Sequence, residues 1–223
     1  MNILSFNSET LGIISTTLRM AFTSTVISSC FGIMFGLLLE KARFPGKKLV
    51  VRLCRTMMSA PPVVIGLIVF LLLMRRGPLG FLGLIFTVPG MIIAQVLLIT
   101  PIVTCMVYSY ACRVAPAIRV FAKTMGANAL QTRFLMIREM RNEIYFAVIA
   151  AFSRAISEVG SVMIVGGNIQ NRTRTMTTAI SMMRNMGDYS QAITLGVILL
   201  IIAFLLQSLS DIIHKEHLGE ENI

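Results

Sequence analysis

Charge-free apolar stretches of about span length recur along the chain, at residues 21–39, 56–74 and 189–210. A hydrocarbon core of about 30 Å is crossed by roughly 20 helical residues, so each stretch predicts a transmembrane helix. Charges close each one: Arg19 and Glu40 the first, Arg55 and Arg75 the second, Asp188 and Asp211 the last. Residues 77–112 are also uncharged, too long for one span and too short for two with a turn. Pro78, Gly80, Gly83, Pro89 and Gly90 interrupt the first part, which predicts a loop or short interfacial segment over 77–90 and a helix over about 91–112. A further helix over about 144–166 carries Arg154 and Glu158 among residues apolar enough to insert. Five spans follow, and an odd number puts the termini on opposite sides.

The polar intervals set the orientation. Residues 41–57 carry Lys41, Arg43, Lys47, Lys48, Arg52 and Arg55, and residues 113–143 carry Arg113, Arg119, Lys123, Arg133, Arg138 and Arg141. These two loops hold twelve of the 20 cations, so both are expected on the cytoplasmic side, with the amino terminus outside and the carboxyl terminus inside. A six-span reading, with 77–112 as a hairpin, would expel one basic loop. Tyr108, Tyr110, Tyr145 and Tyr189 all fall near span ends, where an amphipathic ring is favoured.

Composition agrees with lipid as the solvent. The 223 residues are 56% hydrophobic and 13% charged, with mean hydropathy +0.80, whereas soluble domains are about a quarter charged. A single transmembrane domain over residues 1–223 is expected. The net charge of +10 sits in loops between spans, which fits a membrane protein and anionic lipid better than nucleic acid. The first eighteen residues have no Lys or Arg, so a cleavable signal peptide is not expected. Cys30, Cys54, Cys105 and Cys112 are far apart, and His214 and His217 offer only two ligands, so no metal site is expected.

The interval 113–143 reads as two short helices around a bend. Gly126 permits the turn, and Leu130, Phe134 and Ile137 make an apolar stripe opposite Gln131, Arg133 and Arg138. Such a helix either docks in a partner's groove or lies on the lipid surface. No phosphate-binding loop is present, since Gly46-Lys47-Lys48 lacks both the leading glycine and the hydroxyl, so any ATP hydrolysis belongs to another subunit.

The run Ala122-Lys123-Thr124-Met125-Gly126-Ala127, about thirty residues before Phe152-Ser153-Arg154-Ala155-Ile156-Ser157-Glu158-Val159-Gly160, resembles the inner-membrane permease subunits of ABC importers. The first segment resembles their EAA loop, a helix-turn-helix that grips an ATP-binding subunit. The Arg-x-x-x-Glu-x-Gly pattern of the second is similar to the branch importing molybdate, tungstate and sulfate. Gly166-Gly167-Asn168-Ile169 with the following run from Arg172 to Ile180 most resembles the tungstate-type permeases. Two departures stand out: Val120 and Phe121 replace the acidic residue and first alanine of the box, and Ile137-Arg138-Glu139-Met140 replaces its hydrophobic-proline ending.

The resemblance implies an all-α integral membrane permease working as a homodimer, with two ATP-binding subunits inside and a solute-binding protein outside. It implies that Ala122, Lys123, Thr124, Gly126, Ala127, Phe134 and Ile137 couple to the ATPase, with ATP and magnesium in that partner and no cofactor in this chain. The substrate implied is a tetrahedral oxyanion, tungstate before molybdate or sulfate. An autonomous anion channel or secondary carrier is the rival reading.

Within the membrane, Arg154 and Glu158 are one helical turn apart and should avoid lipid. They read either as an internal ion pair or as part of an anion path with Ser153, Ser157 and Ser161. Pro61, Pro62 and Pro101 are expected to kink or break their helices, and Gly32 and Gly36 to allow close helix approach, within a subunit or across a dimer. Residues 167–188 are expected as an outer loop whose Arg172, Arg174 and Arg184, with Thr173, Thr175, Thr177 and Thr178, either receive an oxyanion or an acidic patch or are simply solvated.

Overall fold

The computed structural model describes residues 8–220, with side chains over 9–208. The helices are α1 (Ser8–Lys41), α2 (Lys47–Met58), α3 (Pro62–Leu73), α4 (Val88–Thr124), α5 (Ala129–Glu139), α6 (Arg141–Ser157), α7 (Gly160–Gly166), α8 (Met176–Asn185) and α9 (Tyr189–Glu220). A single 3-10 turn at Gly80–Leu82 interrupts the connection from α3 to α4. Glu9–Lys41, Val88–Thr124 and Tyr189–Ser208 are long and apolar enough to cross a membrane. Two more passages are bent pairs, α2 with α3 at 103° and α6 with α7 at 57°.

The frame is the seam between α1 and α4. A Cβ on Gly32 would lie 2.6 Å from Val103 Cβ, and one on Gly36 would lie 2.9 Å from Val107 Cβ. Only hydrogen fits at either place, so the glycine pair brings two helices of the same chain together, which answers whether it acts within or between subunits. The register advances four residues on both helices in the same sense, so α1 and α4 run parallel. Their far ends are tied by Arg119 Nη2, which donates to both carboxylate oxygens of Glu40 at 2.8 and 2.6 Å. The basic intervals after α1 and at the end of α4 therefore share one face of the molecule, as five passages require and six forbid. Against this seam lies α6, whose Ala147, Ala151 and Ala155 are fully buried at every fourth position. Small side chains on all three helices let the backbones approach, the usual way helices gain packing energy in lipid.

Three predicted spans differ from what the structure holds. The second was expected at 56–74, but Pro61 and Pro62 end α2 and start α3, with Pro62 at the first helical position where a missing N–H costs nothing. The bend leaves α3 only twelve residues, about 18 Å, while α2 turns away as a separate basic amphipathic helix. The third, expected over 91–112, continues without a break to Thr124, so α4 is both span and first half of the predicted two-helix interval. Pro101 and Pro116 lie inside it and do not end it. Hydroxyls near Pro101 bond back to the helix, Thr100 Oγ1 to the Val96 carbonyl at 2.6 Å and Thr104 Oγ1 to the Thr100 carbonyl at 2.8 Å. The fourth, expected as one helix over 144–166, stops at Ser157 and restarts at Gly160.

Gly32→Leu should drive a side chain into Val103 and lower the unfolding midpoint in detergent, at a cost of about 1–3 kcal/mol or more. Val103→Ala in the same chain should recover part of the loss; a Gly32→Leu protein that melts like the parent would refute the seam.

Candidate functional site

The charged face presents a helix-turn-helix built from the end of α4 and from α5. Gly126 takes the left-handed conformation at φ 67°, which ends α4 and lets Ala127 N–H donate to the Ala122 carbonyl at 2.9 Å. Asn128 then caps α5, its Oδ1 accepting from Leu130 N at 3.0 Å and Gln131 N at 2.9 Å, while Gln131 Oε1 accepts from Asn128 N at 2.8 Å. This reciprocal capping box satisfies donors that the first turn of a helix otherwise leaves open. At its other end α5 is pinned: Met136 and Met140 are buried in the same cluster as the α6 alanines.

The outward side is apolar. Leu130, Phe134 and Ile137 are exposed on α5, as the stripe predicted, and Val120, Phe121 and Met125 join them from α4. Those last three went unrecognised as part of the surface because the first helix was not seen to continue from the span. Their signal was present at Val120 and Phe121, apolar residues beside Arg119 and Lys123. Among the expected coupling residues, Lys123, Thr124, Gly126, Phe134 and Ile137 are exposed and Ala127 is half-buried. Ala122 is buried and serves the turn through its carbonyl.

The break in the fourth passage is the second polar focus. Glu158, extended at φ −73° and ψ 132°, ends α6 and is 2% exposed. Its Oε1 accepts from Ser161 N at 3.2 Å in the first turn of α7, and its Oε2 lies 3.4 Å from Arg154 Nη2. Its carbonyl accepts from Thr177 Oγ1 at 2.8 Å. The Ala155 carbonyl, among the last of the helix and so lacking a helical donor, accepts from Gln95 Nε2 at 2.8 Å, and Gln95 Oε1 accepts from Ser24 Oγ at 2.7 Å. Side chains from α1, α4 and α8 thus complete the hydrogen bonding that the interruption opens. Gln95 and Ser24 were not foreseen, although one amide in an otherwise apolar span needs a buried partner and could have marked the place.

The expected path residues separate here. Glu158 and Ser161 are buried in the break, whereas Ser157 is exposed and Arg154 is partly open. The expected outer loop is corrected more strongly. Thr173, Thr175, Thr177 and Thr178 are buried, because the segment folds inward and starts α8 against the break. Thr175 caps α8 in a box with Thr178, Thr173 Oγ1 donates to the Gly166 carbonyl at 2.5 Å, and Met176 N donates to Thr17 Oγ1 at 2.9 Å. These threonines hold the chain and are not free donors for an incoming anion. Arg174 is tied to Glu9 at 3.0 Å, while Arg172 and Arg184 remain exposed. Among the described residues no group of acidic, histidine and cysteine side chains could hold a metal, all four cysteines are free, and His214 and His217 lie outside the described side chains.

Residues 32–216 match the family described as the inner membrane component of binding-protein-dependent transport systems. The chain belongs to that permease family. As a whole, the permease is 41% identical to the tungstate uptake system permease of Peptoclostridium acidaminophilum, over 96% of this chain and 94% of that one. It is 35% identical to the corresponding tungstate permease of Campylobacter jejuni, over 95% and 88% of the two chains. The sulfate transport permease CysW of Escherichia coli is more distant, 26% identical over 85% and 69%. In fold the permease is similar to a chain of the inward-facing MetNI methionine ABC transporter, with a TM-score of 0.75 at 19% identity, covering 92% of this chain and 94% of that one. Membership sets aside the autonomous channel or carrier and places the permease in the inner membrane.

Gln95→Leu strips the donor from the Ala155 carbonyl, while the Ser24 hydroxyl keeps its bonds to the Met20 and Ala21 carbonyls. A buried polar group left alone costs about 1–3 kcal/mol, so the detergent unfolding midpoint should fall, and further than with Ser24→Ala. Equal midpoints for Gln95→Leu and the parent would show that the break does not depend on that amide.

Proposed function

We propose that the permease is the non-catalytic membrane subunit of an ATP-driven importer for a tetrahedral oxyanion, tungstate, and that residues 1–223 act as one permease domain. The observation that carries the substrate is the 41% identity, across nearly all of both chains, to a tungstate uptake permease. The working unit in this reading is a homodimer with two ATP-binding subunits inside and a solute-binding protein outside. ATP and magnesium belong to the ATP-binding partner. The positive-inside bias orients the shared basic face to the cytoplasm, which puts the amino terminus outside and the carboxyl terminus inside.

The exposed apolar set on α4 and α5, ringed by Arg119, Lys123, Arg133 and Arg138, is the surface the ATP-binding subunit grips. An apolar centre with a charged rim suits a groove on a soluble partner. When nucleotide draws the partner subunits together, α5 moves with them, and the rigid turn at Gly126 and the buried Met136 and Met140 pass that displacement to α4 and α6. Two states then alternate in exposing the passage outward and inward. At the break, Arg154 and Ser157 offer positive field and a hydroxyl to the ion, while Glu158 and Ser161 hold the backbone that positions them. Arg172 on the outer segment is placed to meet the ion or the protein that delivers it.

Gly126→Pro removes the N–H that bonds Lys123 and forbids the positive φ, so the helix-turn-helix should collapse. In cells supplied with the ATP-binding and solute-binding partners, the parent should bring the ATPase through purification and accumulate tungsten measured by mass spectrometry; the variant should do neither. Uptake of sulfate with no tungstate would overturn the substrate, and purification without any ATPase would overturn the importer.

Arg154→Gln combined with Glu158→Gln removes both charges together and leaves no unpaired buried carboxylate. The assembled complex should persist while uptake falls at least tenfold. Unchanged uptake would confine the pair to holding the break.

A further inference from the structure

A groove of about 860 Å³ lies between the charged end of α1 and the flank of α5 that runs from Ala129 and Arg133 to Met136 and Ile137. Its two ends differ in chemistry. At one end stand Lys41, Arg43, Arg119 and Arg133, with Glu40 the sole acid lining the groove and already bound by Arg119. Lys41, Arg43 and Arg133 are exposed and have no acidic partner among the described residues. From there an apolar lane runs back along α1 through Leu37, Met34 and Ile33 to Cys30. Cys30, Met34, Leu38 and Lys41 fall at steps of four, four and three, one face of the helix that leads from hydrocarbon to charge. Eleven residues separate Cys30 from Lys41, so the lane descends about 16 Å along a helix that spans the membrane.

We infer that this groove is a binding site for an anionic phospholipid, its phosphate among Lys41, Arg43 and Arg133 and one acyl chain along α1. Charge complementarity selects the headgroup, and depth selects a lipid: a soluble subunit docked on α5 does not reach about 16 Å down a transmembrane helix. A second copy of this chain packed by a twofold axis through the same patch would set these cations against themselves. The site stands apart from the transported ion, and it meets the gripped surface along one edge of α5, where Arg133 and Ile137 line the groove. A lipid seated there touches both the span and the helix-turn-helix, so membrane composition bears directly on how α5 is held.

The permease contains no tryptophan, so Met34→Trp, at a position 44% exposed, places a lone indole reporter in the lane. The full chain is reconstituted in phosphatidylcholine vesicles containing equal fractions of acyl-brominated phosphatidylglycerol or acyl-brominated phosphatidylcholine, and quenching of the indole is read. Each Lys or Arg near an anionic headgroup contributes roughly fivefold, so brominated phosphatidylglycerol should show a relative binding constant at least about tenfold above that of the choline lipid. Lys41→Gln, Arg43→Gln and Arg133→Gln together in the reporter chain should bring the ratio close to one while quenching by the choline lipid persists, which reports correct insertion. Equal quenching by both lipids in the reporter chain with its cations intact would reduce the groove to ordinary lipid contact and overturn the site. Quenching by neither would mean that protein covers the lane, and would overturn it as well.

Discussion

Everything in this molecule hangs on two parallel helices meeting where one of them has no room for a side chain. Gly32 and Gly36 admit the Val103 and Val107 side chains so closely that α1 and α4 act as one rail. Parallel neighbours cannot be joined by a short turn, so α2 and α3 must carry the chain back across between them. On that return Pro61 and Pro62 divide the chain, which leaves α3 short and sharply bent away from α2. The Glu40–Arg119 bond closes the rail at its charged end and keeps the two basic segments together.

The interruption at Glu158 is the opposite case, a place where the backbone gives up its own hydrogen bonds inside the protein. In lipid such groups would be intolerable, and they survive because other elements supply what the helix no longer does. Gln95 answers the Ala155 carbonyl, Thr177 answers the Glu158 carbonyl, and the Glu158 side chain starts the next helix. Without these partners a broken passage would be a defect; with them it is a bend of 57° held by three neighbouring helices.

Much of this was legible in the residues. Uncharged length located four of the five passages and apolar content the one that carries Arg154 and Glu158, the two cationic loops placed themselves on one side, and Leu130, Phe134 and Ile137 marked an exposed apolar stripe. Boundaries failed where local signals compete with packing. Pro101 reads as a residue that kinks or breaks its helix, yet α4 runs through it, because the tight α1 seam beside Val103 and Val107 holds the helix. Arg154 and Glu158, four apart, read as one turn of a continuous helix, and nothing local announces that the second residue leaves it. The threonines of residues 173–178 read as an outer loop, anion-receiving or solvated, because nothing local announces that Thr173 and Thr177 turn back to the Gly166 and Glu158 carbonyls. Polarity alone does not distinguish a hydroxyl that faces water from one that caps a helix indoors.

Met140 belongs to two helices at once, following the last residue of α5 and preceding the first of α6, and it is completely buried. No linker separates the helix that carries the exposed apolar stripe from the one that begins the fourth passage, so the joint has no play. A linker of even a few flexible residues would let α5 shift while α6 stayed still, and work done on the one would dissipate as slack. Here the two are joined directly, and the angle between them is fixed at a single buried methionine.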